Sequence, residues 1–191
     1  REKRVGRFFE DQLVPKLKET DDNCFDLEIG CGHGHWLTDF AIAEKNTILI
    51  GIDLITKRVG KANSKMEKRN LTNLLFFKAE AKEFLTLIPE AISINNTYMM
   101  FPDPWPKHKH HKRRLIQPSF LSLLASKTIS SGKFFFNPAG WQPGKKIKKG
   151  YLLPNLSLCC NHRSHDSIYG AFFPFAMDSD QAQAVSKLLF D

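Results

Sequence analysis

The sequence lacks any hydrophobic run long enough to cross a membrane. A spanning helix needs about 20 consecutive apolar residues, and no stretch of the 191 residues approaches that length. The charged amino terminus, Arg1 to Arg4, is not followed by the apolar segment of a secretory signal peptide. We therefore expect a cytoplasmic protein with no membrane partner, although the chain does not begin with Met.

Cysteine is also scarce, with four residues in the chain. Without a secretory signal, these thiols are expected to be reduced. A zinc site could be considered where Cys159 and Cys160 precede His162 and His165. Adjacent cysteines seldom ligate the same ion, and no CxxC pair occurs elsewhere in the sequence. We therefore predict no metal site.

Acidic residues are in the minority: 20 Asp and Glu stand against 28 Lys and Arg, a formal net charge of +8. The excess belongs to residues 1–150, which hold 26 basic and 16 acidic residues, whereas residues 151–191 hold two and four. Such a positive field favours a polyanionic partner. The composition, 42% hydrophobic and 25% charged, is typical of an ordinary globular domain, so we expect residues 1–191 to form one domain.

Short apolar runs alternate with helical patterns through the first 136 residues. An amphipathic, basic helix is predicted within residues 1–20, where apolar residues recur at near-helical spacing between residues 4 and 18. Strand patterns follow at 25–29, 47–53, 74–77, 98–101 and 133–136. Helical patterns separate them at 35–45, 55–69, 80–88 and 117–129. This alternation predicts an α/β fold: a doubly wound, mostly parallel, Rossmann-like sheet with helices on both faces.

A glycine-rich turn directly follows the first predicted strand and reads Glu28-Ile29-Gly30-Cys31-Gly32-His33-Gly34. Glycine permits positive φ and lets the backbone approach a ligand closely, although a tight turn without a ligand would use the same residues. Asp53 ends the second predicted strand and suits a ribose diol, although a lone acid there is more often a helix cap. Both lie at the carboxyl ends of strands, where such sheets bind ligands.

The turn lacks the third glycine of a dinucleotide-binding fingerprint. G-x-G-x-x-G requires glycine at position 35 or 37, but these are His35 and Leu37. A nicotinamide oxidoreductase is therefore disfavoured. The string E-I-G-C-G-x-G instead resembles the first motif of class I methyltransferases that bind S-adenosylmethionine.

This resemblance implies the cofactor S-adenosylmethionine and a role for each matching residue. In class I methyltransferases the glycine turn passes under the methionine part, and an acid placed like Asp53 takes the ribose hydroxyls. An acid after the third strand lies near the adenine; here it is Glu80, which also suits a helix cap. The implied cofactor-binding residues are Glu28, Gly30, Gly32, Gly34, Asp53, Glu80 and Ala81.

A proline-rich loop and a basic run follow the fourth predicted strand. The loop reads Phe101-Pro102-Asp103-Pro104-Trp105-Pro106-Lys107, and its three prolines restrict φ and predict a rigid segment. Residues 107–114 contain five Lys or Arg and three His. This density favours a phosphate backbone as the partner, although a basic loop can also be simply solvated.

The whole string resembles the F-x-D-P-W-x-K-x-R-H-x-K-R-R-L signature of the bacterial tRNA (guanine-N7-)-methyltransferases, and the resemblance extends from about Phe25 to Phe136. It implies that Asp103 is the catalytic acidic residue beside the target guanine in the variable loop of tRNA. Trp105 would either stack on a base or pack within the loop. The residues implied to bind tRNA are Trp105, Lys107, His110, Lys112, Arg113 and Arg114.

The carboxyl-terminal part departs from this family pattern. Thr-Asp is usual after the fifth strand, but residues 137–141 read Asn-Pro-Ala-Gly-Trp, and residues 151–191 contain no T-K-x-E string. We therefore divide the chain into a cofactor-binding core, 21–136, and a divergent part, 137–191. Either this part has diverged or the chain joins segments that are not contiguous.

The expected function is S-adenosylmethionine-dependent methylation of guanine N7 in tRNA. One alternative keeps the fold and cofactor but acts on another RNA, a protein or a small molecule. A second alternative is a non-catalytic RNA-binding homologue, which the missing Thr-Asp favours and the intact glycines and Asp103 disfavour. A monomer and a homodimer are equally expected.

Overall fold

The computed structural model describes residues 2–100, 115–137, 157–160 and 169–174. The helices are α1 (Glu2–Phe8), a π-helical segment (Phe9–Leu13), α2 (Val14–Glu19), α3 (His35–Ala43), α4 (Thr56–Lys68), α5 (Ala81–Thr86) and α6 (Pro118–Ser126). The strands are β1 (Cys24–Ile29), β2 (Leu49–Asp53), β3 (Leu74–Lys78), β4 (Ser93–Met100), β5 (Thr128–Asn137), β6 (Ser157–Cys160) and β7 (Tyr169–Pro174). None of the helices in these ranges has the length and apolar character needed to span a bilayer.

One sheet contains all seven of these strands, in the order β3-β2-β1-β4-β5-β7-β6. Strands β1 to β5 are parallel, whereas β7 runs antiparallel to both β5 and β6. The predicted doubly wound, mostly parallel sheet is therefore confirmed. Because the strand order reverses between β1 and β4, their carboxyl ends flank the topological switch point, where such sheets form a ligand-binding crevice.

Residues alternate between the two faces of the sheet, and each face carries its own core. Leu75 of β3 belongs to a large core that also contains residues of α1, α2, α5 and α6. Its neighbours Leu74 and Phe76 belong to a smaller core with residues of α3 and α4. The helices therefore cover both faces of the sheet. Helices α3 and α4 lie together on one face, and a Cβ added at Gly34 or Gly51 would project into the side chains packed on that face.

The amino-terminal helix is not uniformly α-helical, in contrast to the single regular helix predicted near residues 4–18. The Val14 N–H donates to the Phe9 carbonyl, five residues back, which defines the π-helical segment. Pro15 explains this widening, because a proline within an α-helix clashes with the carbonyl four residues earlier. Phe8 and Phe9 are both buried as a result, and both rings lie against Phe84 of α5.

Candidate active site

The glycine-rich turn adopts a conformation that requires its glycines. Gly30, Gly32 and Gly34 have φ values of +81°, +56° and +66°, in the left-handed region that other residues rarely occupy. The turn is fixed to β2, because the N–H groups of Gly30 and Cys31 both donate to the Ile52 carbonyl at 2.8 and 3.0 Å. The turn is therefore held at the switch point by the strand next to it.

The three glycines differ in the space around them. A Cβ at Gly30 or Gly32 would meet no heavy atom within 4 Å, so the turn leaves open room beside these two residues. A Cβ at Gly34 would lie 2.5 Å from Phe76 Cζ and 2.8 Å from Ala62 Cβ. Gly34 therefore permits close packing of α3 on the sheet, whereas Gly30 and Gly32 border the space that a ligand can occupy.

Asp53 connects the glycine turn to the start of α4. The Gly32 N–H donates to Asp53 Oδ2 at 3.0 Å, and the Ile55 N–H donates to Asp53 Oδ1 at 2.8 Å. Arg58 Nη1 lies 3.8 Å from Oδ2. The N-cap residue of α4 is Ile55, so Asp53 joins the turn to the segment before the helix and does not occupy the capping position considered from the sequence. Each carboxylate oxygen can accept more than one hydrogen bond, so a ribose diol remains compatible with these contacts.

Glu28 is a buried carboxyl group without a hydrogen-bond partner at Oε2 among the described residues. Burial, and then the negative charge of Asp53, raise the pKa of Glu28 to about 8. Buried polar atoms are normally satisfied, and strongly perturbed acids concentrate at functional sites. Glu28 therefore fits a site completed by a cationic or hydrogen-bond-donating ligand.

Replacing Glu28 by Gln is expected to remove a pH-dependent loss of stability. Between about pH 4.5 and 8 the unfolded chain releases a proton that folded Glu28 retains, so the free energy of unfolding falls as pH rises. By pH 7 this loss is on the order of 3 kcal/mol. Melting temperatures measured from pH 4.5 to 8 should therefore decline less steeply in Glu28→Gln than in the wild type.

The matched control is Glu90→Gln, which removes an exposed carboxylate from the same chain. Its melting temperature should follow the wild-type pH dependence throughout this range. If the melting temperature of Glu28→Gln had the same pH dependence as that of the wild type, Glu28 would be ionised in the folded protein over this range. That result would contradict its raised pKa.

Glu80 occupies the N-cap position of α5, and its Oε2 accepts a hydrogen bond from the Glu83 N–H at 2.9 Å. The capping role considered for this residue is therefore present. Ala81, the first residue of α5, is buried. The Ala79 N–H donates to the Asp53 carbonyl at 3.2 Å, so the segments that follow β2 and β3 are joined at the same edge of the sheet.

Two apolar residues beside Asp53 were not predicted as part of the site. The side chains of Leu54 and Ile55 are exposed, at 63% and 43%. Large exposed apolar side chains adjacent to a strand-end acid offer a surface for an uncharged ring. Their position directly after Asp53 was the signal available in the sequence.

A buried polar network joins the two strands at the switch point. Asp26 accepts hydrogen bonds from Asn95 Nδ2 at 2.9 Å, from the Asn96 N–H at 3.0 Å and from the Tyr98 hydroxyl at 3.0 Å. Burial raises the pKa of Asp26, although these hydrogen bonds oppose the shift. The network spans the register irregularity between β1 and β4 and stabilises their pairing there.

Tyr98 also organises an aromatic group on the α3 face of the sheet. Its ring stacks on Phe135 of β5, with centroids 4.9 Å apart, and contacts Trp36 at 4.8 Å. Trp36 in turn stacks on Phe40, 5.0 Å away. These contacts fix the first turns of α3, and hence the end of the glycine turn, against β4 and β5.

The predicted substrate-binding and catalytic residues lie outside the described residues. This applies to Asp103, Trp105, Lys107, His110, Lys112, Arg113 and Arg114. It also applies to His162 and His165 of the zinc-site alternative. Within residues 2–100, 115–137, 157–160 and 169–174, no three metal-ligating side chains are grouped together, and Cys24 and Cys31 are free thiols.

A family model described as "Putative methyltransferase" matches residues 22–138 of the chain. This range includes β1 to β5, the glycine turn and Asp53. The chain belongs to this methyltransferase family. S-adenosylmethionine, predicted above as the cofactor, is confirmed by this membership.

Curated relatives carry the name tRNA (guanine-N(7)-)-methyltransferase. The relative from Chromohalobacter salexigens is 41% identical over 107 residues, covering 56% of this chain and 43% of its own length. The relative from Prochlorococcus marinus strain MIT 9515 is 40% identical over 128 residues, covering 62% of this chain and 60% of its own length. The resemblance to the bacterial tRNA (guanine-N7-)-methyltransferases is confirmed at the family level. The chain spans about half the length of these relatives.

The fold is also that of a solved methyltransferase. The structure of an antibiotic-related methyltransferase superposes with a TM-score of 0.50 at 23% identity, over 66% of this chain and 63% of that chain. At this identity the similarity concerns the fold alone. It agrees with a class I methyltransferase architecture for β1 to β5 and the helices between them.

Proposed function

We propose that this chain methylates N7 of a guanine in the variable loop of tRNA, with S-adenosylmethionine as the methyl donor. The observation that carries the proposal is the buried Glu28 beside Asp53, whose Oε2 has no hydrogen-bond partner in the described part of the chain, at an open glycine turn on the switch point. The names of the relatives and the basic run at residues 107–114 support tRNA as the substrate. We also propose that residues 1–191 act as one domain in the cytoplasm, where tRNA is processed.

The donor site is assigned to the carboxyl ends of β1, β2 and β3. Glu28 would hold the amino group of the donor, because a cation there compensates the buried carboxylate. Gly30 and Gly32 would let the backbone lie against the methionine part, since a Cβ at either would project into open space. Asp53 would accept hydrogen bonds from the ribose hydroxyls through lone pairs that its present partners leave available.

The adenine is assigned to the surface beyond Asp53. Leu54 and Ile55 would provide apolar contact with the ring. Glu80 and Ala81 follow the adjoining strand β3, and the hydrogen bond between Ala79 and Asp53 keeps that segment next to the ribose position. When bound, S-adenosylmethionine supplies a methyl group activated by its sulfonium.

The acceptor side requires little proton chemistry from the protein. Guanine N7 carries a lone pair and no proton, so its methylation needs no general base. Positive charge develops on the guanine during transfer, and a carboxylate that accepts hydrogen bonds from the donor edge of the base would stabilise it. We assign this role to Asp103. Trp105, Lys107, His110, Lys112, Arg113 and Arg114 would hold the tRNA around the base.

The test is transfer of a labelled methyl group to tRNA, followed by nucleoside analysis. The chain, incubated with methyl-labelled S-adenosylmethionine and unmodified bulk tRNA, is expected to produce labelled 7-methylguanosine. A matched pair of tRNA transcripts, differing only in whether the variable loop contains guanine or adenine, locates the target. Label should enter the guanine transcript alone.

Other outcomes separate the alternatives. Label in a different nucleoside, or in a protein acceptor, would retain the enzyme class and replace the substrate. Binding of tRNA without any transfer would favour the non-catalytic RNA-binding alternative and contradict the proposal.

A further inference from the structure

Helix α4 carries a row of basic side chains along the glycine turn. The helix contains five basic residues and one acidic residue in 13 positions. Arg58, Lys61 and Lys65 are spaced three and four residues apart and therefore share one side of the helix; we call these three the basic row. An adjacent side of the helix is anchored in the small core by Val59 and Ala62.

The basic row is attached to the donor site at two points. Arg58 Nη1 lies 3.8 Å from Asp53 Oδ2, while the Arg58 side chain remains 47% exposed. Lys65 Nζ donates a hydrogen bond to the carbonyl of His33 in the glycine turn at 2.8 Å. The basic row thus follows the glycine turn, from Arg58 at the proposed ribose position to Lys65 at His33.

The charges of the basic row are poorly compensated within the protein. Among the described residues, neither Lys61 nor Lys65 forms an ion pair, and Asp39, whose charge acts on Lys65, is paired with Arg69. Like charges three or four residues apart destabilise a helix. The pKa of His33 is lowered, first by loss of hydration and then by the charges of the basic row, which is consistent with a positive surface at the turn.

We propose that the basic row binds the phosphate backbone of the RNA whose base is methylated. Its members span about 10 Å along the helix axis, a length sufficient to contact more than one phosphate of a strand. The basic row follows β2, whereas the basic run at residues 107–114 follows β4 in the sequence, so the two are separate basic segments of the chain. This inference rests on the proposed function.

The test compares the salt dependence of tRNA binding in matched variants. Lys61→Gln/Lys65→Gln removes two charges from the basic row, and Lys18→Gln/Lys45→Gln removes two exposed charges near the amino ends of β1 and β2, at the opposite edge of the sheet. The first variant should reduce the slope of log affinity against log salt by about 1.5 units. It should weaken binding of unmodified tRNA at least tenfold at low salt. The second should leave both quantities at their wild-type values.

Parallel measurements distinguish failure of this inference from failure of the proposed function. A wild-type salt slope in Lys61→Gln/Lys65→Gln, or an equal loss in both double variants, would overturn the phosphate contact even if the wild type methylates tRNA. Tighter binding of the wild type to phosphatidylserine vesicles than to tRNA would overturn it as well. If tRNA binding is weakened only in Lys61→Gln/Lys65→Gln and the wild type transfers no methyl group, the contact is supported and the proposed activity is rejected.

Discussion

Replacing Gly34 by Ala should destabilise the protein by about 3 kcal/mol and lower its melting temperature by roughly 6–12 °C. Two physical costs add at this position. The residue has φ of +66°, where a Cβ is unfavourable, and the added Cβ would lie 2.5 Å from Phe76 Cζ and 2.8 Å from Ala62 Cβ. The ring of Phe76 is buried and Ala62 belongs to α4, so neither atom can yield without disturbing the core that supports the donor site.

Two further Gly→Ala variants separate these costs in thermal unfolding experiments. Gly32→Ala has the same φ penalty, about 1–2 kcal/mol, but no steric neighbour within 4 Å. It should unfold at a temperature between those of Gly34→Ala and the wild type. Gly60→Ala lies within α4, where a Cβ meets nothing within 4 Å, and should be neutral or stabilising. Equal stability of Gly34→Ala and Gly32→Ala would contradict the packing role of Gly34.

The same variants separate folding from donor binding. Gly32→Ala places a methyl group in the open space beside the turn, so its affinity for S-adenosylmethionine should fall although the fold is retained. Gly60→Ala should bind S-adenosylmethionine like the wild type. Calorimetric titration of both variants with S-adenosylmethionine measures how much affinity is lost when a methyl group is added at the turn and when one is added in the neighbouring helix.

Much of the parallel sheet could be predicted because its strands are local patterns. Buried parallel strands are continuous apolar runs, and the segments that became β1, β2 and β3 stand out in the sequence without any knowledge of their partners. The strands β6 and β7 did not stand out, because their positions depend on antiparallel pairing of β7 with β5, which is distant in sequence, and of β6 with β7. The π-helical segment was missed because the apolar pattern continues regularly past Pro15, which lies two residues beyond Leu13, the end of the segment.

The candidate site likewise contains features that could be predicted from local sequence and features that could not. The glycine turn and Asp53 could be identified from spacing, since positive φ and strand-end acids have local sequence signals. The lack of a hydrogen-bond partner for Glu28 Oε2 within the described ranges could not, because it depends on which side chains fail to reach a buried oxygen. The hydrogen bonds from Asn95 and Tyr98 to Asp26, about 70 residues earlier, are also invisible in sequence. The basic character of α4 was visible, but its alignment with the turn required the contact between Lys65 and His33.

The acceptor side provides the prediction with the largest effect on turnover. Glu28 of β1 and Tyr98 of β4 are register partners, so the two strands reach the switch point together. Asp103 follows the last residue of β4, Met100, by three positions. Chain geometry therefore keeps it within about 11 Å of the strand end. A carboxylate tethered there can reach an acceptor base placed beside the proposed donor site.

Asp103→Asn should therefore lower methyl-transfer turnover by a factor on the order of 10²–10³, as expected for loss of one electrostatic partner of a transition state. The substitution retains the size of the side chain and removes its charge. Affinities for S-adenosylmethionine and tRNA should change much less, because the charge on guanine develops during transfer. Turnover, both affinities and the melting temperature would be measured on the same preparation.

A purely structural role for Asp103 predicts the reverse pattern. The melting temperature would then fall while activity per folded molecule remained at the wild-type level. Asp21→Asn, a change of the same chemistry at an exposed position on the loop before β1, provides the matched control and should leave turnover unchanged. Full turnover in Asp103→Asn would refute the electrostatic role of this residue but not the proposed donor site, because the residues proposed for that site, Glu28, Asp53 and the glycine turn, belong to other segments of the chain.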